Sequence, residues 1–132
     1  MFKGSMVALV TPYKDGEVDW KTLDALVDFH IEAGSDVLVP CGTTGESPTL
    51  THEENDAVTA AIVRRAKGHI PVMAGTGSNS TTEALAMTRN ARKNGADGAL
   101  LVVPYYNRPT QEGLFQHFST LAREVDFPQV LY

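Results

Sequence analysis

The chain has 132 residues, of which 42% are hydrophobic and 20% are charged, a balance typical of one globular domain. Its 16 acidic and 11 basic residues give a net charge of -5 without a basic run, which argues against a nucleic-acid partner. No segment has the long apolar core of a signal peptide or membrane span, so we expect a cytoplasmic protein with no membrane partner. One cysteine and four scattered histidines predict neither an internal disulfide nor a metal site.

The hydrophobic pattern predicts five strands that alternate with four helices. Each predicted strand is short and almost continuously apolar, as strands buried on both faces are; they cover residues 5–10, 36–40, 71–75, 98–103 and 129–132. Between them, apolar residues recur every three or four positions, which indicates helices. Capping residues mark the helix starts: Asp19, Thr51 with Glu54, Ser80 with Glu83, and Thr110. Glycines mark the ends of the first three helices: Gly34, Gly68 and Gly95.

This repeated unit of strand and helix predicts an α/β protein with parallel strands and right-handed crossovers. Two architectures share that element order. A five-stranded, doubly wound, flavodoxin-like sheet fits about 130 residues, whereas a (β/α)8 TIM barrel needs about 250. Because the chain ends in a buried strand without a covering helix, we also expect residues 1–132 to be a single domain, the first four and a half βα units of such a barrel.

The segment after the second strand is the first candidate site, because α/β proteins bind ligands at the carboxyl ends of their strands. It contains glycines that allow close backbone approach and hydroxyls that can hold a carboxylate or a phosphate: Cys41-Gly42-Thr43-Thr44-Gly45-Glu46-Ser47. A tight turn from strand to helix would use the same residues. The segment after the third strand is a weaker copy for which a turn is the simpler interpretation: Gly75-Thr76-Gly77.

A second polar segment follows the fourth strand: Pro104-Tyr105-Tyr106-Asn107-Arg108-Pro109. Two loop tyrosines favour contact with a ligand or a partner, although packing against the adjacent helix would explain them equally well. Tyr132 ends the last strand, where its hydroxyl can transfer protons. No lysine follows a strand, the position that imine-forming catalysis requires.

Two other groups of reactive side chains have simpler interpretations. Cys41 is interpreted as a small buried hydrophobe, although its nearness to the Gly-Thr-Thr-Gly loop also allows a position next to a ligand. The histidines on or just beyond helices are interpreted as surface or boundary residues: His30, His69 and His117.

The two loop segments, read as Gly42 to Ser47 and Pro104 to Gly113, together resemble the dihydrodipicolinate synthase family of pyruvate-dependent lyases, which fold as (β/α)8 barrels. The first segment is shared with the wider N-acetylneuraminate lyase superfamily, whereas the Tyr-Tyr-Asn-Arg-Pro run is particular to the synthases. Residues 4–12, 75–77 and 127–132 also resemble strand regions of the family. The resemblance therefore covers the whole chain.

The resemblance implies an enzyme of lysine and diaminopimelate biosynthesis that condenses pyruvate with aspartate semialdehyde through a Schiff base and needs no cofactor. It implies a proton relay of Thr43, Tyr106 and Tyr132, with the pyruvate carboxylate held at Thr44 and Gly42. The Schiff-base lysine of the family, and its carboxylate-binding arginine, match positions beyond residue 132. We therefore expect the isolated chain to be inactive.

The resemblance also implies assembly and regulation. The complete enzyme is expected to be a homo-oligomer, a dimer of dimers, in which Tyr106 reaches into the neighbouring site. Feedback inhibition by L-lysine is expected at five matching positions: Ser47, His52, Asn79, Glu83 and Tyr105. Two residues depart from the pattern of lysine-sensitive members, which often have a histidine at position 55 and a small residue at position 48: Asn55 and Pro48.

Two alternatives to this function stay open. One is another pyruvate-dependent aldolase or lyase of the N-acetylneuraminate lyase superfamily. The other is a binding module that holds phosphate or a flavin in the Gly-Thr-Thr-Gly loop.

Overall fold

The computed structural model describes residues 2–132. Its strands are β1 (Met6–Ala8), β2 (Tyr13–Lys14), β3 (Glu17–Val18), β4 (Val37–Val39), β5 (Met73–Gly75), β6 (Gly98–Leu101) and β7 (Gln129–Leu131). Its α-helices are α1 (Trp20–Glu32), α2 (His52–Ala66), α3 (Thr81–Lys93) and α4 (Gln111–Glu124), and a short 3-10 helix covers Ser47–Thr49. The five predicted strands and four predicted helices are confirmed within a few residues at their ends.

The parallel strands lie side by side in the order in which they occur in the chain. β1 pairs with β4, β5 pairs with β6, and β6 pairs with β7, all in parallel. A bridge between Leu38 and Val72, and a 2.8 Å hydrogen bond from the Gly75 N–H to the Pro40 carbonyl, join β4 to β5. This order differs from that of a doubly wound sheet, where the chain reverses direction at its first strand.

The helices form one continuous layer, because each packs against the next one along the chain. Leu23 and Val27 of α1, together with Val58 and Ile62 of α2, bury Leu38 of β4. The other face of the sheet carries its own apolar cluster, built from residues that alternate with Leu38 and from the neighbouring strand: Val37, Val39 and Met73. None of the helices in residues 2–132 is long and apolar enough to cross a bilayer.

Burial on both faces is confirmed for the inner strands and is wrong for the outer ones. Every residue of β4 and β5 is buried. Met6 of β1 is 45% exposed and Leu131 of β7 is 58% exposed. β1 and β7 each have a single parallel neighbour, so their side chains lack the cover that the inner strands receive from neighbours on both sides.

Most predicted helix caps are confirmed by hydrogen bonds. Asp19 accepts from the Thr22 N–H, Thr51 and Glu54 form a reciprocal capping box, and Thr110 accepts from the Gly113 N–H. The glycines that follow the first three helices have positive φ, as the left-handed end of a helix requires: Gly34, Gly68 and Gly95. The box at Ser80 is incomplete, because the Glu83 side chain bonds elsewhere.

Two features depart from the sequence-based predictions. Asp15 and Gly16 both have positive φ and form a tight hairpin turn between β2 and β3, strands that the pattern did not predict. His117, predicted at the surface or boundary, is only 5% exposed. It faces the start of α3, where its Nδ1 lies 2.9 Å from the Thr81 hydroxyl.

Candidate active site

The loop after β4 is closed on itself by short-range hydrogen bonds. The Gly45 N–H donates to the Gly42 carbonyl over 3.1 Å, and the buried Thr11 hydroxyl donates to the Gly45 carbonyl over 2.7 Å. Cys41 and Glu46 at the two ends of the loop adopt positive φ, which is strained for residues with a Cβ. Hydrogen bonds within the loop and from Thr11 therefore hold it in a backbone conformation that Cys41 and Glu46 alone would disfavour.

Two amides of this loop are available to a ligand. The N–H groups of Gly45, Glu46 and Ser47 donate to carbonyls within the loop. None of the hydrogen bonds among residues 2–132 uses the N–H of Thr43 or Thr44. Two adjacent amides that donate no hydrogen bond within residues 2–132, with the two hydroxyls beside them, can hold a carboxylate.

The segment after β5 has a packing role. A Cβ at Gly75 would overlap the Cys41 carbonyl oxygen, and a Cβ at Gly77 would overlap the backbone nitrogen of Val102. Both glycines are therefore required by the close approach of neighbouring strand ends. This supports the interpretation as a turn over that as a second ligand loop.

A cavity of about 260 Å³ lies at the carboxyl ends of the strands, and we call it the strand-end cavity. Gly42 and Thr43 line it on one side, and Tyr105 and Tyr132 line it on the other. Leu100 and other apolar residues contribute to its wall. The structure thus brings together two of the three predicted relay residues, Thr43 and Tyr132.

Tyr106 and Thr44 do not line this cavity. Tyr106 is 93% exposed and has a positive φ of 70°. Asn107 fixes its loop by donating from its N–H to the Tyr105 carbonyl (2.9 Å) and from its amide nitrogen to the Asn79 carbonyl (3.1 Å). The strained backbone, fixed by these hydrogen bonds, leaves the phenol of Tyr106 projecting from its own subunit.

Cys41 lines the strand-end cavity but is not a nucleophile. Its side chain is buried, and this burial raises the pKa of the thiol to about 11, an effect that hydrogen bonding from Thr59 only partly offsets. The thiol is therefore protonated at neutral pH, when only the thiolate would react. The interpretation as a small buried hydrophobe is confirmed.

A second cavity of about 140 Å³ adjoins the first, and we call it the polar cavity. Ser47, Pro48, Gly77 and Tyr105 line both cavities. Four of the five residues predicted to bind lysine line the polar cavity: Ser47, His52, Glu83 and Tyr105. The fifth, Asn79, does not line it; its backbone carbonyl accepts a hydrogen bond from Asn107 in the loop that carries the tyrosines.

The polar cavity has an acidic side and a neutral side. Glu83 Oε2 lies 3.9 Å from His52 Nε2 on the first. On the second, the buried side chain of Asn55 donates to the Ser47 hydroxyl over 3.3 Å. Asn55 therefore orients a residue that belongs to both cavities.

Three residues that line the polar cavity were missed by sequence reasoning: Leu50, Ser78 and Met87. Ser78 is 3% exposed, and its hydroxyl donates to Glu83 Oε2 over 2.8 Å. Met87 enters from α3, one turn after Glu83. The helical spacing of Glu83 and Met87 could have identified Met87, whereas nothing in the sequence pattern distinguishes Ser78 from a loop serine.

Within residues 2–132, neither cavity is lined by a lysine, the residue whose amine could form an imine. All five lysines are exposed, and none lines either cavity: Lys3, Lys14, Lys21, Lys67 and Lys93. A wider opening of about 930 Å³ lies at the amino ends of the strands, lined by Phe2, Asp36 and Pro128 among others. It lacks the hydroxyl groups of the strand-end cavity.

A parallel α/β chain with hydroxyl groups gathered at the carboxyl ends of its strands belongs to the broad class of α/β enzymes that bind small ligands there. Within that class, the sequence profile of the Dihydrodipicolinate synthetase family matches residues 1–132. The chain belongs to this family, as the loop segments predicted.

Individual relatives of the chain are synthases of this family. Over 132 residues the chain is 61% identical to the 4-hydroxy-tetrahydrodipicolinate synthase of Geotalea uraniireducens (strain Rf4) and 58% identical to that of Aquifex aeolicus (strain VF5). The matches cover 100% of this chain but 46% and 45% of those proteins. The chain therefore spans about half the length of the relatives it matches.

The chain also aligns with about half the length of solved dihydrodipicolinate synthase structures. The dihydrodipicolinate synthase of Acinetobacter baumannii complexed with pyruvate aligns with a TM-score of 0.98 at 54% identity, over 100% of this chain and 46% of that chain. The lysine-bound enzyme of Cyanidioschyzon merolae aligns with a TM-score of 0.93 at 42% identity, over 98% of this chain and 45% of that chain.

Proposed function

We propose that the complete protein is a 4-hydroxy-tetrahydrodipicolinate synthase that condenses pyruvate with aspartate semialdehyde. One observation carries this proposal: the Gly-Thr-Thr-Gly loop and the Tyr-Tyr-Asn-Arg-Pro loop lie together at one end of the sheet. Relatives that are 58% and 61% identical to this chain are named for that activity. Residues 1–132 are then the first four and a half βα units of a (β/α)8 barrel. The sequential strand order and the unpaired outer edges of β1 and β7 support this assignment.

Pyruvate occupies the strand-end cavity in this proposal. The free amide of Thr43, which lines this cavity, and that of Thr44, the next residue and just outside the lining, hold its carboxylate, and Gly42 lets the backbone approach it. The ketone carbon forms an imine with a lysine that belongs to the part of the barrel beyond residue 132. The exposed positions of all five lysines in this chain support that division of the site.

The hydroxyl groups of this chain move protons. Water leaves the ketone carbon when the imine forms, and an oxyanion develops on the aldehyde when the enamine attacks it; both steps need a proton at a defined atom. Thr43 and Tyr132 line the cavity where those atoms lie, and Tyr106 from a second copy of the chain connects them to bulk water. The relay needs no cofactor or metal.

Tyr106 completes the site of a second copy of the chain. The Tyr106 side chain is 93% exposed and its backbone has a strained, positive φ, so packing within its own subunit does not stabilise this conformation. Contact with a partner explains why that conformation is retained. In this proposal the complete enzyme is a homo-oligomer in which each strand-end cavity depends on its neighbour, and the resemblance to the family extends this assembly to a dimer of dimers.

L-lysine regulates the enzyme from the polar cavity. The Glu83 carboxylate receives the α-ammonium, the Tyr105 phenol donates to the ligand carboxylate, and Ser47 and His52 accept from the distal ammonium. Since Ser47 and Tyr105 also line the strand-end cavity, a ligand that fixes them alters the site of reaction. In this proposal the synthase operates in the cytoplasm.

A direct assay of the complete enzyme tests this proposal. Purified protein is supplied with pyruvate and aspartate semialdehyde, and the consumption of both is followed. A matched reaction offers N-acetylneuraminate instead. We expect turnover of the first pair and none of the second; cleavage of N-acetylneuraminate would assign the protein to another branch of the superfamily, and a flavin absorbance spectrum would assign it to the binding modules.

A further inference from the structure

The Glu83 carboxylate is held by a residue outside the expected capping box. The Ser80, Glu83 spacing predicts that the carboxylate accepts from the Ser80 N–H. Instead, the Ser80 N–H donates to the Ser78 hydroxyl over 3.1 Å, and that hydroxyl donates to Glu83 Oε2 over 2.8 Å. Ser78 has therefore taken over the role of the carboxylate at the helix start.

The other capping box of the chain shows what this exchange changes. At the start of α2, Glu54 turns back and accepts from the Thr51 N–H over 2.8 Å, so its carboxylate is used by its own helix. At the start of α3, the same sequence pattern leaves the Glu83 carboxylate on the wall of the polar cavity. The difference between the two ends is the Ser78 hydroxyl.

The Ser78 contact also decides which oxygen of Glu83 is available. Oε2 accepts from Ser78 and lies 3.9 Å from His52. Oε1 accepts no hydrogen bond within residues 2–132 and remains available to a ligand. Because Ser78 is 3% exposed and bonded on both sides, its hydroxyl cannot turn away without breaking two hydrogen bonds.

We propose that Ser78 is a positioning residue of the polar cavity, which holds the Glu83 carboxylate in the orientation that receives the ammonium group of a bound amino acid. This inference rests on the proposed regulation by lysine. Without Ser78 the carboxylate rotates freely or turns back to the Ser80 N–H, as Glu54 does at its own helix. The bound ligand must then fix the orientation of the carboxylate itself, and this loss of side-chain freedom weakens binding.

Lysine binding to substituted forms of the complete enzyme tests this role. Ser78→Ala removes the hydroxyl and keeps the volume close, and we expect the dissociation constant of lysine, measured by calorimetry, to rise about tenfold. Ser78→Thr keeps the hydroxyl, and we expect it to stay near the original value. Ser119→Ala, on α4 and outside both cavities, is the matched control and leaves lysine binding unchanged.

A combination with Glu83→Asp separates positioning from a general structural effect. Aspartate keeps the charge but moves the carboxylate back by one methylene, out of reach of Ser78. We expect Ser78→Ala to weaken lysine binding about tenfold beside Glu83 and by no more than about twofold beside Asp, because the two changes remove one shared contact.

The outcomes distinguish this inference from the proposal beneath it. An equal cost of Ser78→Ala in both backgrounds, or an equal loss in Ser78→Ala and Ser78→Thr, would overturn the positioning role and leave regulation by lysine intact. If Glu83→Asp alone abolishes binding, the comparison of Ser78→Ala with Ser78→Thr decides the question. No binding of lysine to the unsubstituted enzyme would overturn the regulation and the inference together.

Discussion

The hydroxyl of Tyr106 is expected to matter for turnover and not for folding. Tyr106→Phe keeps the ring and removes a hydroxyl that makes no hydrogen bond within residues 2–132, on a side chain that is 93% exposed. The free energy of unfolding should therefore change by less than about 0.5 kcal/mol. If the hydroxyl transfers protons in a neighbouring site, kcat should fall by about 10²- to 10⁴-fold, the usual contribution of a general acid or base.

The division between kcat and KM identifies the role. Steady-state kinetics with pyruvate and aspartate semialdehyde should give a large loss in kcat and little change in the KM for pyruvate, because proton transfer acts in the transition state. Tyr13→Phe, in the β2–β3 hairpin and outside both cavities, serves as the control. An unchanged kcat in Tyr106→Phe would contradict the relay.

Mixed oligomers test whether the site is shared. Thr43→Val inactivates the site of its own subunit, and Tyr106→Phe inactivates the site of its neighbour. When the two inactive variants are mixed in equal amounts and allowed to exchange subunits, half of the dimers are mixed and each has one intact site, so about one quarter of the original activity should return. Activity no higher than the sum of the separate variants would refute the shared site.

Three other predictions concern regulation, packing and pH. Glu83→Ala should abolish inhibition by lysine while turnover without lysine stays near its original value; full sensitivity in an inhibition assay would refute the assignment of the ammonium site. Gly75→Ala should lower the free energy of unfolding by about 2 kcal/mol, because its Cβ meets the Cys41 carbonyl, whereas Gly42→Ala meets nothing within 4 Å and should cost less than about 1 kcal/mol in denaturant titrations. Burial lowers the pKa of His117, so the unfolded chain binds more protons and stability should fall as the pH drops below about 6.5. Thermal melts at several pH values should show a shallower fall in His117→Asn, and equal slopes would contradict this.

The element order and most helix ends were predictable because they depend on local chemistry. Apolar periodicity identified all four helices, and side-chain caps such as Asp19 and Thr51 confirmed where they begin. The choice between barrel and doubly wound topology was not predictable in this way. Both use the same units of strand and helix, and only the observed pairing of each strand with the next one along the chain separates them.

The candidate site was predicted mainly through its loops. Residues that follow strands were expected to meet at one edge of the sheet, and Thr43, Tyr105 and Tyr132 do line one cavity. What the sequence could not provide is side-chain direction. The same pattern of Ser or Thr followed three residues later by Glu gives a complete capping box at Thr51 and an incomplete one at Ser80. At Ser80, the buried Ser78 hydroxyl bonds both to the Ser80 N–H and to the Glu83 carboxylate, so these two groups do not bond to each other.

Burial of single residues was equally difficult to predict. His117 borders the apolar face of its helix, one turn before Leu121, and its contact with Thr81 depends on how α4 packs against α3. The exposure of β1 and β7 depends on the absence of further strand neighbours in the described structure. Both outcomes are set by tertiary packing and have no local signal.

Trapping of the pyruvate imine tests the central claim most directly. The complete enzyme is treated with pyruvate and borohydride, which reduces an imine to a stable secondary amine, and the modified residue is located by mass spectrometry of proteolytic fragments. The account predicts one pyruvyl adduct per subunit on a lysine outside residues 1–132, with the five lysines of this chain unmodified. No adduct on any lysine, or an adduct on one of those five, would contradict it.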